Sequence, residues 1–376
     1  MNLFLPFYDS ASWLVRDVLP FILIITPVVF FHELGHFSVA RAFGVRIETF
    51  SIGFGPAIVS WLDRKGTRWK ISWIPLGGYV KFFGDLDAAS TPDRKAAEAM
   101  SEADKRVAFP FKPLYQRALI VAAGPVANFV LAIAVLTAFF TAFGADIALA
   151  RITEVIAKSP AQLAGFHVGD TIVDINGRHI DSFDDVAAFV SMRPGEKLDV
   201  TIDRAGKTQV LHVTPQLVSF KDRFGEMEKV GRLGIGAETQ FVHLGPVESF
   251  QEACHRTWLI VRTTLDLRTR LFASAAAVSQ LHGPLGIAKL SAQVAAVSFL
   301  SLVQLAAFIS VSIGLVNLFP IPLLDGGHLL YYGFEAVLGR PLGARAQDLG
   351  FRLGLAVMLG LMLLATWNDL VRMNLF

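Results

Sequence analysis

Cysteine is almost absent: Cys254 is the only one in 376 residues. A single thiol closes no disulfide within the chain and builds no thiolate metal site. Its ordinary role is that of a small buried apolar residue. Charge is scarce too. Lys, Arg, Asp and Glu make up 18% of the chain, against about 25% in soluble domains, while apolar residues reach 53%. The two signs nearly cancel, leaving +2, so no nucleic-acid partner is expected. Residues 1–12 carry neither a basic start nor a small-residue cleavage site. The apolar run after them is therefore expected to stay as a membrane span rather than be removed as a signal peptide.

Four long apolar stretches stand out, residues 14–37, 118–143, 298–319 and 351–367. Each is near the roughly 20 residues that cross a bilayer. The expected fold is a polytopic α-helical membrane protein with about four transmembrane helices and an inserted soluble α+β module. Positive charge collects between the first two spans, at Arg46, Arg64, Lys65, Arg68, Lys70 and Lys81 and on to Arg117, whereas Arg16, at the head of the first span, is the only cation on its N-terminal side. Cation-rich loops stay in the cytoplasm. The N-terminus, the C-terminus and the module between spans two and three are then expected on the outer side.

The first span contains His32-Glu33-Leu34-Gly35-His36. On a helix the two histidines share a face one turn apart, a spacing that grips one Zn²⁺ and leaves Glu33 as a general base. Ionisable groups at membrane depth are costly, and function is the default reason for keeping them. A catalytic zinc takes a third protein ligand and keeps an open position for water. Asp325, among the helix-breaking residues after the third span, is the candidate, with His328 as its rival. Asn128 is a polar residue inside the second span, either satisfied by neighbouring helices or near a substrate.

Between the first two spans, residues 69–74 and 79–82 read as strands separated by the turn signal Pro75-Leu76-Gly77-Gly78, and residues 52–56 read as another turn. Residues 88–105 read as a solvated linker or surface helix. Residues 146–238 alternate strands with turns: a strand into Asn176-Gly177, a helix capped by Ser182 with Asp185 at its third position, and a hairpin turning at 204–207. Residues 245–297 read as helices on the membrane surface, their apolar faces broken by charges such as Glu252, His255 and Arg256.

Together HELGH, the GPVAN of residues 124–128 and the NLFPIPLLDGGH of residues 317–328 resemble the site-2 protease family of intramembrane zinc metalloproteases, in its regulator of sigma-E group. FSIGFG at 50–55, IPLGGYVKF at 74–82 and GPLGIAKL at 283–290 extend the resemblance over nearly the whole chain. It implies zinc on His32, His36 and Asp325, with Glu33 as general base and acid. It implies Asn317 near the scissile peptide, and Gly77, Gly78 and Tyr79 in a membrane-associated β-loop that pairs with substrate. Ser159 to Phe166 followed by Val168-Gly169-Asp170-Thr171-Ile172 resembles a PDZ domain, with Leu233, Gly234 and Ile235 as its carboxylate-binding loop. Relatives with two such domains are known in the family; this chain has room for one.

The resulting plan has a first span with the histidine motif (1–43), a cytoplasmic loop with a membrane-associated β-hairpin (44–117) and a second span (118–145). A periplasmic PDZ domain (146–238), periplasmic or membrane-surface helices (239–297) and the last two spans with the LDG motif (298–376) follow. The resemblance implies a multi-pass protein of the bacterial inner membrane. Its partners are the lipid bilayer and a single-span membrane substrate of anti-sigma-factor or signal-peptide-remnant type. Oligomeric state stays open. A zinc or ion transporter using the same histidines is the alternative, and a membrane-anchored PDZ adaptor with a dead site is opposed by the intact motifs.

Overall fold

The computed structural model describes residues 16, 18–84, 100–180, 182–221, 227–271 and 283–372. The readings of residues 1–12, and of 88–99 in the linker, lie outside the described residues. The elements run α1 (Leu19–Ala42), β1 (Ile47–Leu62), β2 (Arg68–Phe82), α2 (Glu102–Val107), α3 (Leu114–Phe143), β3 (Ala145–Val155), α4 (Pro160–Leu163), β4 (Thr171–Ile175), β5 (Arg178–His179) and α5 (Phe183–Ser191). They continue with β6 (Leu198–Arg204), β7 (Lys207–Val213), β8 (Gln216–Lys221), β9 (Met227–Arg232), β10 (Ile235–Val242), α6 (Pro246–Leu271), α7 (Pro284–Val297), α8 (Phe299–Asn317), α9 (Asp325–Leu338) and α10 (Ala344–Arg372). The chain divides into two compact units, Met1–Val135 with His282–Phe376, and Leu136–Leu281.

In the first unit, among the described residues, α1, α3, α8 and the Arg345–Val371 part of α10 are long and apolar enough to cross a membrane. These correspond to the expected spans. α3 begins earlier than its uncharged run, at Leu114. Pro113 fixes that start, because its carbonyl accepts the first turn's amides from Gln116 and Arg117, and Arg117 is thereby drawn into the helix. A further helix, α9, was not legible as such. The Pro-rich residues before it read as a break, and the helix that starts at Asp325 is too short to span.

Stretch 239–297 is two different things. Its charged part forms α6, which belongs to the second unit, while α7 belongs with the spans. α7 is apolar, and its Ile287 and Ala295 pack with Ile24 of α1 and Leu302 and Ile309 of α8. The physical reason lies in charge: the ionisable residues that suggested a surface location all fall before residue 271.

β1 and β2 each fold back on themselves. Thr49 to Ile52 pair on one side with residues 68–71 and on the other with residues 78–81, while residues 57–62 pair with residues 68–72. Four segments therefore lie side by side in the order 57–62, 68–72, 49–52, 78–81. The bends fall at the two sequence turn signals, and Gly53 (φ +84°) and Gly55 (φ +85°) supply the left-handed backbone at the first. The polar turn at 63–67 is clasped by Asp63, which accepts from the Lys65 and Thr67 amides and pairs with Arg41. Phe37, Phe50, Val80, Phe82 and Ile120 form the core beneath the sheet. Its far half is bare, with Phe54, Ile58, Trp61 and Trp73 at 43, 53, 47 and 68% exposure.

In the second unit the sheet runs β10-β3-β4-β6-β7, with β5 on β4. Alternating Leu198, Val200 and Ile202 send their side chains into a core with Ile152, Phe166, Ile172, Val186 and Phe189. The expected helix is α5, and Ser182 and Asp185 form a reciprocal capping box at its start. Ile175–Arg178 and Arg204–Lys207 close the two expected tight turns. Asp170, 1% exposed, is met by both arms of Arg204 at 2.7 and 2.8 Å. α6 is tied to this module by Arg256, which reaches Asp184 at 2.7 Å and the Asp146 carbonyl at 2.7 Å.

Candidate metal centre

His32 and His36 are buried on one face of α1, and Asp325 opens α9. Nε2 of His32 lies 3.2 Å from Nε2 of His36. Asp325 Oδ2 lies 3.2 Å from the first and 3.5 Å from the second. A tetrahedral zinc with bonds of 2.0–2.1 Å sets its ligand atoms about 3.3 Å apart. The triangle therefore fits that ion, and among the described residues it is the His/Cys/Asp/Glu group that could hold a metal. His328, one turn along α9, is not a member.

The outer nitrogen of His36 explains why its inner one is free to ligate. His36 Nδ1 donates to the Ile120 carbonyl at 2.9 Å. A carbonyl only accepts, so that nitrogen carries the proton and Nε2 presents its lone pair. His32 Nδ1 faces the side-chain amide of Asn128 at 3.3 Å. Asp325 Oδ2 is buried with no satisfied hydrogen bond. Lone pairs converging in a buried site need a cation among them.

Both outer partners come from α3, and the backbones are close. A Cβ on Gly35 would meet the Ala123 carbonyl at 2.3 Å, and one on Gly124 would meet His36 Nε2 at 2.2 Å. Each glycine of the HELGH and GPVAN motifs thus makes room for the other helix. Pro125 leaves the α3 ladder one amide short. Ser310 of α8 donates to the Asn128 carbonyl at 2.9 Å and ties the third span to the second. α8 ends at Asn317, whose amide stands 3.4 Å from His32 Nε2. Leu323, two residues before Asp325, holds a positive φ of +94°, a strained backbone of the kind that gathers at functional sites.

Glu33 lies beside the Val80 amide, and a Cβ on Gly78 would stand 3.2 Å from its Cγ. Gly77, Gly78 and Tyr79 therefore run past Glu33 on the outer segment of the hairpin sheet. Among the described residues no strand pairs with that segment's outer side. Asn128 is 0% exposed; it backs His32 and has no open face toward a substrate. In the module, Leu233 is 3% exposed in the core and its carbonyl accepts from Ala161. Gly234, at φ +80°, lies against Ser159, and Ile235 starts the edge strand β10. Read from the sequence alone, Gly35 and Gly124 have no separate role and Ile120 none at all; a carbonyl acceptor leaves no mark there.

The solved structures similar to this chain include the PDZ domains of SdrC-like proteins from Listeria monocytogenes and Listeria innocua. They are 18% and 19% identical, cover 25% and 26% of this chain and 88% and 99% of theirs, each with a TM-score of 0.20. Metalloprotease MmpA of Caulobacter vibrioides is 41% identical, over 94% of this chain and 95% of its own. A relative from Agrobacterium fabrum, named as a zinc metalloprotease, is 43% identical over 96% of this chain and 97% of its own. Residues 20–361 match Peptidase family M50, a span that takes in the histidine motif, α3 and Asp325. The chain belongs to that family, the site-2 proteases, and is a zinc metalloprotease.

Proposed function

We propose that this metalloprotease cuts peptide bonds in or near the transmembrane segment of single-span membrane proteins, as a step of regulated intramembrane proteolysis. The observation that carries the reading is the position of the metal centre: two of its three donors sit on a helix apolar enough to cross a membrane. A soluble substrate would not require that placement. Anti-sigma factors and signal-peptide remnants are the substrate types we favour.

His32, His36 and Asp325 would hold the zinc, which when bound lowers the pKa of water toward 7 and polarises the scissile carbonyl. Glu33, adjacent to the donors but turned toward Val80, would take the proton of the attacking water and pass it to the leaving amine. Asn317 would hold the substrate carbonyl as negative charge grows on it. A helical substrate has its amides bonded to itself and must unwind before attack. The unpaired side of residues 78–81 offers replacement bonds by strand addition, next to Glu33. The bare apolar half of the hairpin suits contact with lipid.

We read residues 44–117 as cytoplasmic and the termini and the 146–238 module as periplasmic in a bacterial inner membrane. The module would be a PDZ domain that gates entry, with β10 and the Leu233–Gly234–Ile235 loop as its groove, and none of the catalytic residues lies in it. Cleavage of a single-span substrate by the purified protein in liposomes tests the reading. Activity lost in Glu33→Gln with zinc retained supports it; undiminished activity in that variant defeats it.

A further inference from the structure

Three donors have to meet within a fraction of an ångström, yet they stand on two helices far apart in sequence. α3 fixes the outer nitrogens of His36 and His32. The same helix also reaches the other end of α9, the helix that Asp325 opens. Arg117, the fourth residue of α3, points both arms at Glu335: Nη2 to Oε1 at 2.5 Å and Nη1 to Oε2 at 3.2 Å. The pair is well covered, with side chains 14% and 15% exposed. The guanidinium also lies 4.9 Å over the ring of Tyr332, one turn before Glu335. Its Nε donates to the Lys112 carbonyl at 3.0 Å, and Lys112 in turn donates its Nζ to the carbonyl of Phe43 at the end of α1, 2.9 Å away.

We propose that Arg117 and Glu335 are positioning residues for the metal centre, setting the rotation and height of α9 so that the Asp325 carboxylate meets the two imidazoles. The proposal rests on Asp325 being a ligand. Glu335 lies ten residues beyond Asp325, about 15 Å along the helix axis. A planar fork on a carboxylate fixes both angle and distance, which a single hydrogen bond or a lysine does not. On α3, Arg117, Ile120, Gly124 and Asn128 recur at spacings that keep them on one face. One face of one helix thus addresses His36, His32 and the helix of Asp325.

Three variants test this: Arg117→Lys keeps the charge and loses the fork, Glu335→Asp shortens the reach, and the reversed pair Arg117→Glu with Glu335→Arg restores a fork. Zinc affinity and the visible spectrum of the Co²⁺-loaded protein are the readouts. Both single variants are expected to bind zinc more weakly than the parent, with an altered Co²⁺ band. The reversed pair is expected to recover most of the affinity. A Glu335→Asp protein that melts at a lower temperature yet keeps the parental zinc affinity and Co²⁺ band overturns the proposal, since the pair is then only a staple. So does a folded reversed pair with no recovery. Asp325→Ala is measured alongside: if it keeps zinc, the ligand assignment has failed and the proposal falls with it; if it loses zinc while the fork variants do not, the pair alone is at fault.

Discussion

The ring of His36 lies against the backbone of Gly124 so closely that a Cβ there would stand 2.2 Å from Nε2. No side chain fits, and the nearest atom is the one that faces His32 and Asp325. Gly124→Ala is therefore expected to swing His36 out of the donor triangle. Zinc content of the purified protein should fall well below one per chain, while circular dichroism keeps its helical signal. A variant with full zinc would show that His36 has room to retreat.

Asn128 gives a second, milder test. Its amide is the partner of His32 Nδ1 and is fully buried. Asn128→Leu keeps the branched outline and removes the hydrogen bond, so zinc affinity should drop about ten- to a hundredfold. If substrate KM changes and zinc affinity does not, Asn128 serves the substrate instead.

The histidine pair and the four apolar runs could be read from the sequence because each is local: a helical period and a run of uncharged residues. The turn signals at Gly53, Gly55 and Gly77 marked true bends, and Ser182 marked a true cap. What escaped depends on distance in space. Arg117 reads as one more loop cation, and nothing in the sequence singles out Glu335. The bond between them spans 218 positions. Asn128 was visible as a polar residue in a span, but only the packing of α3 on α1 says what it touches.

His255 ties α6 to α5 within the second unit. Its ion pair with Asp185, then that with Glu252, push its pKa up to about 10; Arg256, next in the chain, pairs with Glu252 and Asp184. A pKa raised by folding contributes stability in full below the unfolded value of 6.5; that contribution is lost as pH rises through about 10. The melting temperature should fall more between pH 7 and 10 in the parent than in His255→Gln, and the two curves should converge above that range. Parallel curves would contradict the ion pairs.

Trp73 is 68% exposed on the bare half of the hairpin. Trp73→Lys should leave stability in detergent within about 0.5 kcal/mol, as at other surface positions, and reduce cleavage in liposomes. Equal activity in both media would remove lipid contact from the account.

Sidedness is checked with cysteines in a Cys254→Ala background. Lys65 sits in the polar hairpin turn and Lys207 in a module turn, both exposed. A membrane-impermeant thiol reagent should label Lys207→Cys in intact cells and spare Lys65→Cys; the opposite pattern inverts the topology.

The most direct measurement of the central claim is mass spectrometry of a single-span substrate after incubation with the protein in liposomes, parent beside Glu33→Gln at equal zinc content. The account predicts a cut within or at the edge of the substrate's apolar span in the parent and an intact substrate with the variant. A cut confined to a soluble flank, or the same cut made by Glu33→Gln, would contradict it.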